Sequence, residues 1–190
     1  MALITYADKS TMNSNPSVPA INKCQASDMN EIKSVVNDNY TELTNAINDK
    51  NIICVGLSSN TNVSVGSTWT HYSIPINNTI VSIGSKLTLN TSNHRVIVGN
   101  GVSNVKVSTF AGIRGIVNAI EFNVRKNGTT IASTNFAVSN AGTFVPSSIT
   151  NMVVSVSNGD YFDVTIRSAG TGTAVVAGGT NYGLTIEVIN

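Results

Sequence analysis

Charge is scarce in this sequence. Lys and Arg number 11 and Asp and Glu 10 among 190 residues, so 11% of the chain is charged where about 25% is usual. A net charge of +1 and the lack of any run of four basic residues exclude the electrostatic footprint that nucleic acid or an anionic membrane surface attracts. No apolar stretch approaches the length of a membrane-spanning helix, which needs about 20 residues. The N-terminus has no basic region followed by an apolar core, which predicts synthesis in a cytosol without cleavage of a leader. Aromatic residues make up 6%, with one Trp. Cysteine occurs twice, and Cys24 and Cys54 match no metal-ligand or redox spacing. Both are read as free, buried thiols, and no metal site or cofactor is expected.

Small polar residues stand where the charges are missing. Asparagine alone contributes 26 residues, with Ser, Thr and Gly filling out the rest. Asn and Gly reach the positive-φ positions of tight turns, while Thr, Val and Ile suit a pleated surface. Apolar residues total 41% and arrive in blocks bounded by turn signals, which separates the chain from a disordered polar sequence.

Residues 1–25, with Pro16 and Pro19 among Ser and Asn, show no sustained period and read as an extended arm. From Ala26 to Lys50 the pattern becomes helical, with Ser27 and Asp28 as a modest start signal. Met29, Ile32, Val36, Asn39, Leu43 and Ala46 recur at alternating spacings of three and four, the seam of a coiled coil. Asn39 on that seam is the kind of polar residue that fixes register and oligomer state. About three heptads are marginal alone, so the helix either braces its own domain or joins identical chains in a parallel bundle.

Over residues 51–190 the period becomes two. Tyr72, Ile74 and Ile76 share one strand face, as do Phe162, Val164 and Ile166, and Leu184, Ile186 and Val188. Asn127-Gly128 and Asn158-Gly159 predict two-residue hairpins, and Asn100-Gly101 is a candidate third. About ten strands are counted, which points to a two-sheet sandwich or jelly roll. Thr109–Ile120 reads as a wide loop or a bulged strand, and the Gly-rich stretch AGTGTAVVAGGTNYG as an apical loop or a close approach at a subunit axis.

Catalytic chemistry is thinly supplied. His71 alternates with Tyr72 and faces solvent in this reading, and His94 sits in a turn sequence. After residue 50 the acids are Glu121, Asp160, Asp163 and Glu187. Parity sends Asp160 and Asp163 to opposite faces, so Asp160 reads as a turn acceptor and Asp163 as solvated. A glycosidase head calls for two carboxylates about 5–10 Å apart in a groove, and four acids make an enzyme the least favoured reading. Trp69, His71 and Tyr72 form the one cluster able to stack on a sugar ring and bond its hydroxyls; core filling is the plainer use of a lone Trp.

The layout IEFNVRKNGTTIAS, then VSVSNGDYFDVTI, then NYGLTIEVI resembles the final strands of the tumour-necrosis-factor and complement globular-head superfamily. That resemblance implies a jelly roll associating as a compact homotrimer. The run DKSTMNSNPSVPAINKCQASDMNEIKSVVNDNYTEL resembles the opening of small virion appendage proteins in phages of Gram-positive gut bacteria. It implies that residues 1–25 anchor to capsid or tail proteins, that the helix at 26–50 trimerises, and that a mainly β domain at 51–190 projects. The expected function is a virion head or tail fibre made in the bacterial cytoplasm, not an enzyme, with host-surface glycan as a partner. The alternative is a capsid decoration protein without a receptor.

Overall fold

The computed structural model describes residues 26–48, 50–179 and 182–189, and the chain divides into two compact units, Met1–Asp49 and Lys50–Asn190. The arm expected over residues 1–25 lies outside the described residues, and Cys24 with it. Among the described residues of the first unit one helix, α1, runs over Ala26–Asn48 for 23 residues. Its seam positions Met29, Ile32, Val36 and Leu43 are all exposed, as is Val35 beside them. Asn39 and Ala46 are exposed too. The hydroxyls of Thr41 and Thr44 donate back to the carbonyls of Asn37 and Tyr40, so they make no demand on a partner.

Among the described residues the second unit is built on β-strands, thirteen in all. One sheet holds β1 (Ile52–Gly56), β2 (Thr61–Val65), β4 (Asn78–Ile83), β7 (Asn104–Arg114), β10 (Val145–Ser155), β12 (Gly172–Val176) and β13 (Tyr182–Val188). The other holds β3 (Tyr72–Ser73), β5 (Leu87–Asn90), β6 (Arg95–Val98), β8 (Ala119–Lys126), β9 (Thr129–Ala137) and β11 (Tyr161–Ser168). All pairings are antiparallel. The first sheet runs β2-β12-β7-β13-β1-β4 with β10 also on β7; the second runs β5-β6-β11-β8-β9 with β3 on β11. The chain steps repeatedly from one sheet to the other, a jelly-roll arrangement.

Alternation places the core as expected. Phe162, Val164 and Ile166 of β11, Phe122 and Val124 of β8, and Leu184 and Ile186 of β13 are buried in one cluster. Tyr182 is also fully buried, and its hydroxyl has no hydrogen-bond partner. Burial raises the phenol far above its ordinary value, so it stays protonated.

The three Asn-Gly turns divide in a way their sequence does not announce. Asn127-Gly128 joins β8 to β9 as a true hairpin, with Lys126 opposite Thr129. Both residues have positive φ, 51° and 80°, which a type I′ turn requires. Asn158-Gly159 and Asn100-Gly101 are not hairpins. They carry the chain from β10 to β11 and from β6 to β7, between sheets. In these two turns the glycine has positive φ but the asparagine does not, so the I′ geometry is absent.

Four further expectations resolve differently. Thr109–Ile120 is neither a wide loop nor one bulged strand: β7 continues to Arg114 and β8 begins at Ala119. Gly115 makes the break, with φ 101° and a backbone pressed so close to the Thr173 carbonyl that a Cβ would collide. The Gly-rich C-terminal stretch is partly a strand, β12, paired with β2. Cys54 is free but half-buried rather than buried. Asp163 is 7% exposed, not solvated, because β8 supplies its counter-charge.

The difference among the turns is measurable. Asn127 also bonds Asp160 through Nδ2 and accepts the Tyr161 N–H through Oδ1. Asn127→Ala is therefore expected to cost about 1–3 kcal/mol in urea unfolding, and Asn158→Ala to stay within about 0.5 kcal/mol of the parent.

Candidate functional site

The solvent-side face of the second sheet carries most of the domain's organised polarity. Asp163, Thr165 and Arg167 alternate with core residues along β11 and lie opposite Arg125, Asn123 and Glu121 of β8. Because the strands run antiparallel, each acid meets an arginine. Arg125 donates Nε to Asp163 Oδ1 at 2.8 Å and Nη2 to Oδ2 at 2.6 Å. Arg167 donates Nη2 to both oxygens of Glu121, at 2.7 and 2.6 Å. Between the two ion pairs lie Asn123 and Thr165, both fully buried. Asn123 Oδ1 and the Nε atoms of Arg167 and Arg95 are buried with no partner within the protein.

The segment ahead of β3 lies on this ladder. His71 Nδ1 sits 2.9 Å from Thr165 Oγ1, and Trp69 stands over the Arg167 guanidinium at 5.7 Å from its ring centroid. Trp69 is 40% exposed and has φ 53°. For a bulky residue that left-handed backbone costs about 1–3 kcal/mol, which the surrounding contacts offset. Trp69 and His71 thus share the ladder's face, whereas Tyr72 goes the other way and packs against the core. The cluster read from sequence is two residues on one surface and one beneath it. His71 does not simply face solvent, since Thr165 holds it. His94 lies in a turn, with φ 53° and Nδ1 3.3 Å from the Ile76 carbonyl.

The other two acids of the domain are tied as well. Asp160 receives Lys126 Nζ at 2.8 Å, the Asn127 side-chain amide and the Ser157 N–H. The Lys126 and Asn127 bonds hold its carboxyl down to about 2. Glu187 pairs with Lys106 at 2.8 Å. Among the described residues no three His, Cys, Asp or Glu side chains converge to hold a metal. No helix of the described residues is long and apolar enough to cross a membrane. The arrangement is suited to hydrogen bonding and stacking rather than to proton transfer, with every acid after residue 50 held by a cation.

This two-sheet domain has a jelly-roll fold. It is similar to murine APRIL at 11% identity and a TM-score of 0.56, over 74% of this chain and 99% of that one. It is also similar to PRD1 vertex protein P5 at 11% identity and a TM-score of 0.52, over 74% and 97%. Eiger TNF from S. frugiperda matches at 10% and 0.52, over 73% and 92%. Identities this low establish the fold alone. No family model and no curated protein matches the sequence.

Burial, then the neighbouring Arg125 and Arg167, lowers the His71 pKa from its ordinary 6.5, against smaller opposing effects of Glu121 and Asp163. The unfolded chain therefore takes up a proton near pH 6.5 that the folded domain resists, so stability falls as pH drops through that value. Urea midpoints measured from pH 7.5 to 5 are expected to decline less in His71→Gln than in the parent; parallel curves would contradict this.

Proposed function

We propose that the chain is a bacteriophage virion structural protein, a head or tail fibre, whose subunits associate as a homotrimer and present the jelly roll to host-surface glycan. In this reading residues 1–25 attach the protein to other virion proteins, α1 and the first sheet make the subunit contacts, and Trp69 with His71 meets sugar. The observation that supports it most is a pair of unpartnered apolar faces, one in each unit. On α1 the face is Met29, Ile32, Val36 and Leu43. On the first sheet, Ile80, Val81, Ile83, Phe110 and Val153 are each more than 40% exposed.

Such faces on a chain of low charge are the mark of subunit contacts. The shared fold with a vertex protein of PRD1 favours a virion setting, and a neutral surface rich in amides and hydroxyls suits sugar recognition. A trimer would also present three weak sites whose combined avidity exceeds one.

Light scattering on the full chain is expected to give about 60 kDa, three times 19.9 kDa. Leu43→Asp buries an unpaired charge in the proposed seam and is expected to lower that mass; an unchanged oligomer would reject the seam. Deleting residues 1–25 is expected to leave a folded protein that no longer joins particles. Incorporation without them would reject their anchoring role.

A further inference from the structure

A second feature of the jelly roll lies apart from Trp69. Between β7, β9 and β10 is an open cleft of about 700 Å³, within the roughly 300–1,000 Å³ typical of small-molecule sites. Its walls include three aromatic rings, Phe110, Phe136 and Phe144, and the polar residues Thr134, Asn135 and Ser148. No charged residue lines it. The nearest cation in sequence to the rim, Arg114, is occupied: its guanidinium lies 4.5 Å from the Phe144 ring centroid and donates to the Gly142 carbonyl.

The chemistry of these walls narrows what fits. An anionic or cationic ligand would leave water and find no counter-charge, which is costly. A wholly apolar ligand would strip water from Thr134, Asn135 and Ser148 without replacing their hydrogen bonds. A pyranose has apolar C–H faces for aromatic rings and a rim of neutral hydroxyls or acetamido groups for an amide and hydroxyls. That pattern matches the lining in both respects.

We infer that this cleft is a binding site for a neutral saccharide, with Phe136 and Phe144 against the sugar faces and Asn135 and Ser148 bonding its hydroxyl or acetamido groups. The inference deepens the attachment reading and rests on it for the biological source of the sugar. It places the principal contact in the cleft and leaves Trp69 as a separate contact on the solvent side of the other sheet.

The test uses the full chain in its solution assembly, applied to an array of neutral and acidic glycans, with neutral hits then titrated calorimetrically. Saturable binding of neutral glycans is expected. Ser148→Ala and Asn135→Ala, each removing one hydrogen-bonding group, are expected to weaken the best hit about two- to tenfold. Phe136→Leu, which keeps an apolar wall but removes a stacking face, is expected to weaken it too. Circular dichroism and light scattering identical to the parent would show that these variants still fold and assemble. Acidic-only hits, or neutral hits weakened by Trp69→Ala and untouched by the cleft variants, would overturn the cleft assignment. So would a blank array with a change of oligomeric mass in Phe136→Leu, which would make the cleft a contact between copies. Attachment itself is read separately, by whether the purified protein binds host cells and competes with phage adsorption. Cell binding with a blank neutral array would reject the cleft and leave attachment standing, whereas neutral binding without cell binding would do the reverse.

Discussion

The β-domain depends on the two-residue alternation of β11 more than on any other constraint. One face of that strand commits Phe162, Val164 and Ile166 to the core, and the other commits Asp163, Thr165 and Arg167 to partners on β8. A slip of one residue would drive three polar groups, two of them charged, into the core and expose three large apolar ones. The ion pairs add a further selection. Arg125 meets Asp163 and Arg167 meets Glu121 only in the observed antiparallel register; a shift by two residues would bring Arg125 opposite Thr165. As net stability such pairs are modest, because desolvation cancels much of the attraction, but removing one partner leaves a buried charge and costs about 3–5 kcal/mol. Their role is best stated as fixing register: the core supplies the driving force, and the ladder rejects the alternatives.

That division explains what could be read from the chain beforehand. The apolar alternation of β11, β8 and β13 is local, so the sandwich, its core faces and the change from helical to strand periodicity near residue 50 were legible. The ladder was not, although its signal is present. Glu121-x-Asn123-x-Arg125 and Asp163-x-Thr165-x-Arg167 each place an acid four residues before an arginine, and two such segments are complementary only when antiparallel. Recognising this requires knowing that β8 and β11 are neighbours, although about 40 residues of chain separate them. Without that pairing, Asp163 read as solvated.

The turns were misread for a related reason. Asn-Gly specifies a tight reversal, but whether the flanking strands then pair depends on the sheet each enters. At Asn127-Gly128 both strands stay in the second sheet. At Asn100-Gly101 and Asn158-Gly159 the partner strands of the core pull the chain across to the opposite sheet, and the asparagine relaxes to negative φ. The cleft escaped for the same cause. Phe110, Phe136 and Phe144 lie on separate segments, and no local spacing announces that β9 and β10 approach one another at the side of the sandwich.

What remains is a physical tension in the exposed apolar surface. Five large side chains on the first sheet and four on the helix seam stand open to water in the single chain. Covering even half of each contributes on the order of 1 kcal/mol per side chain, which together reaches the scale of the roughly 4–15 kcal/mol that association costs. Either face alone falls at or below the middle of that range; in the proposed assembly the two in one chain would act as linked contacts, each raising the effective concentration for the other. A low-charge exterior offers little electrostatic steering to bring subunits together and little repulsion to hold them apart. In the proposed assembly, apolar shape would then govern how subunits meet, with the half-exposed Lys106–Glu187 pair on the same sheet. Gly183 has no room for a Cβ beneath Phe110, whose ring would lie 2.9 Å from it. That ring therefore lies over the Gly183 backbone, and a side chain at position 183 would displace it.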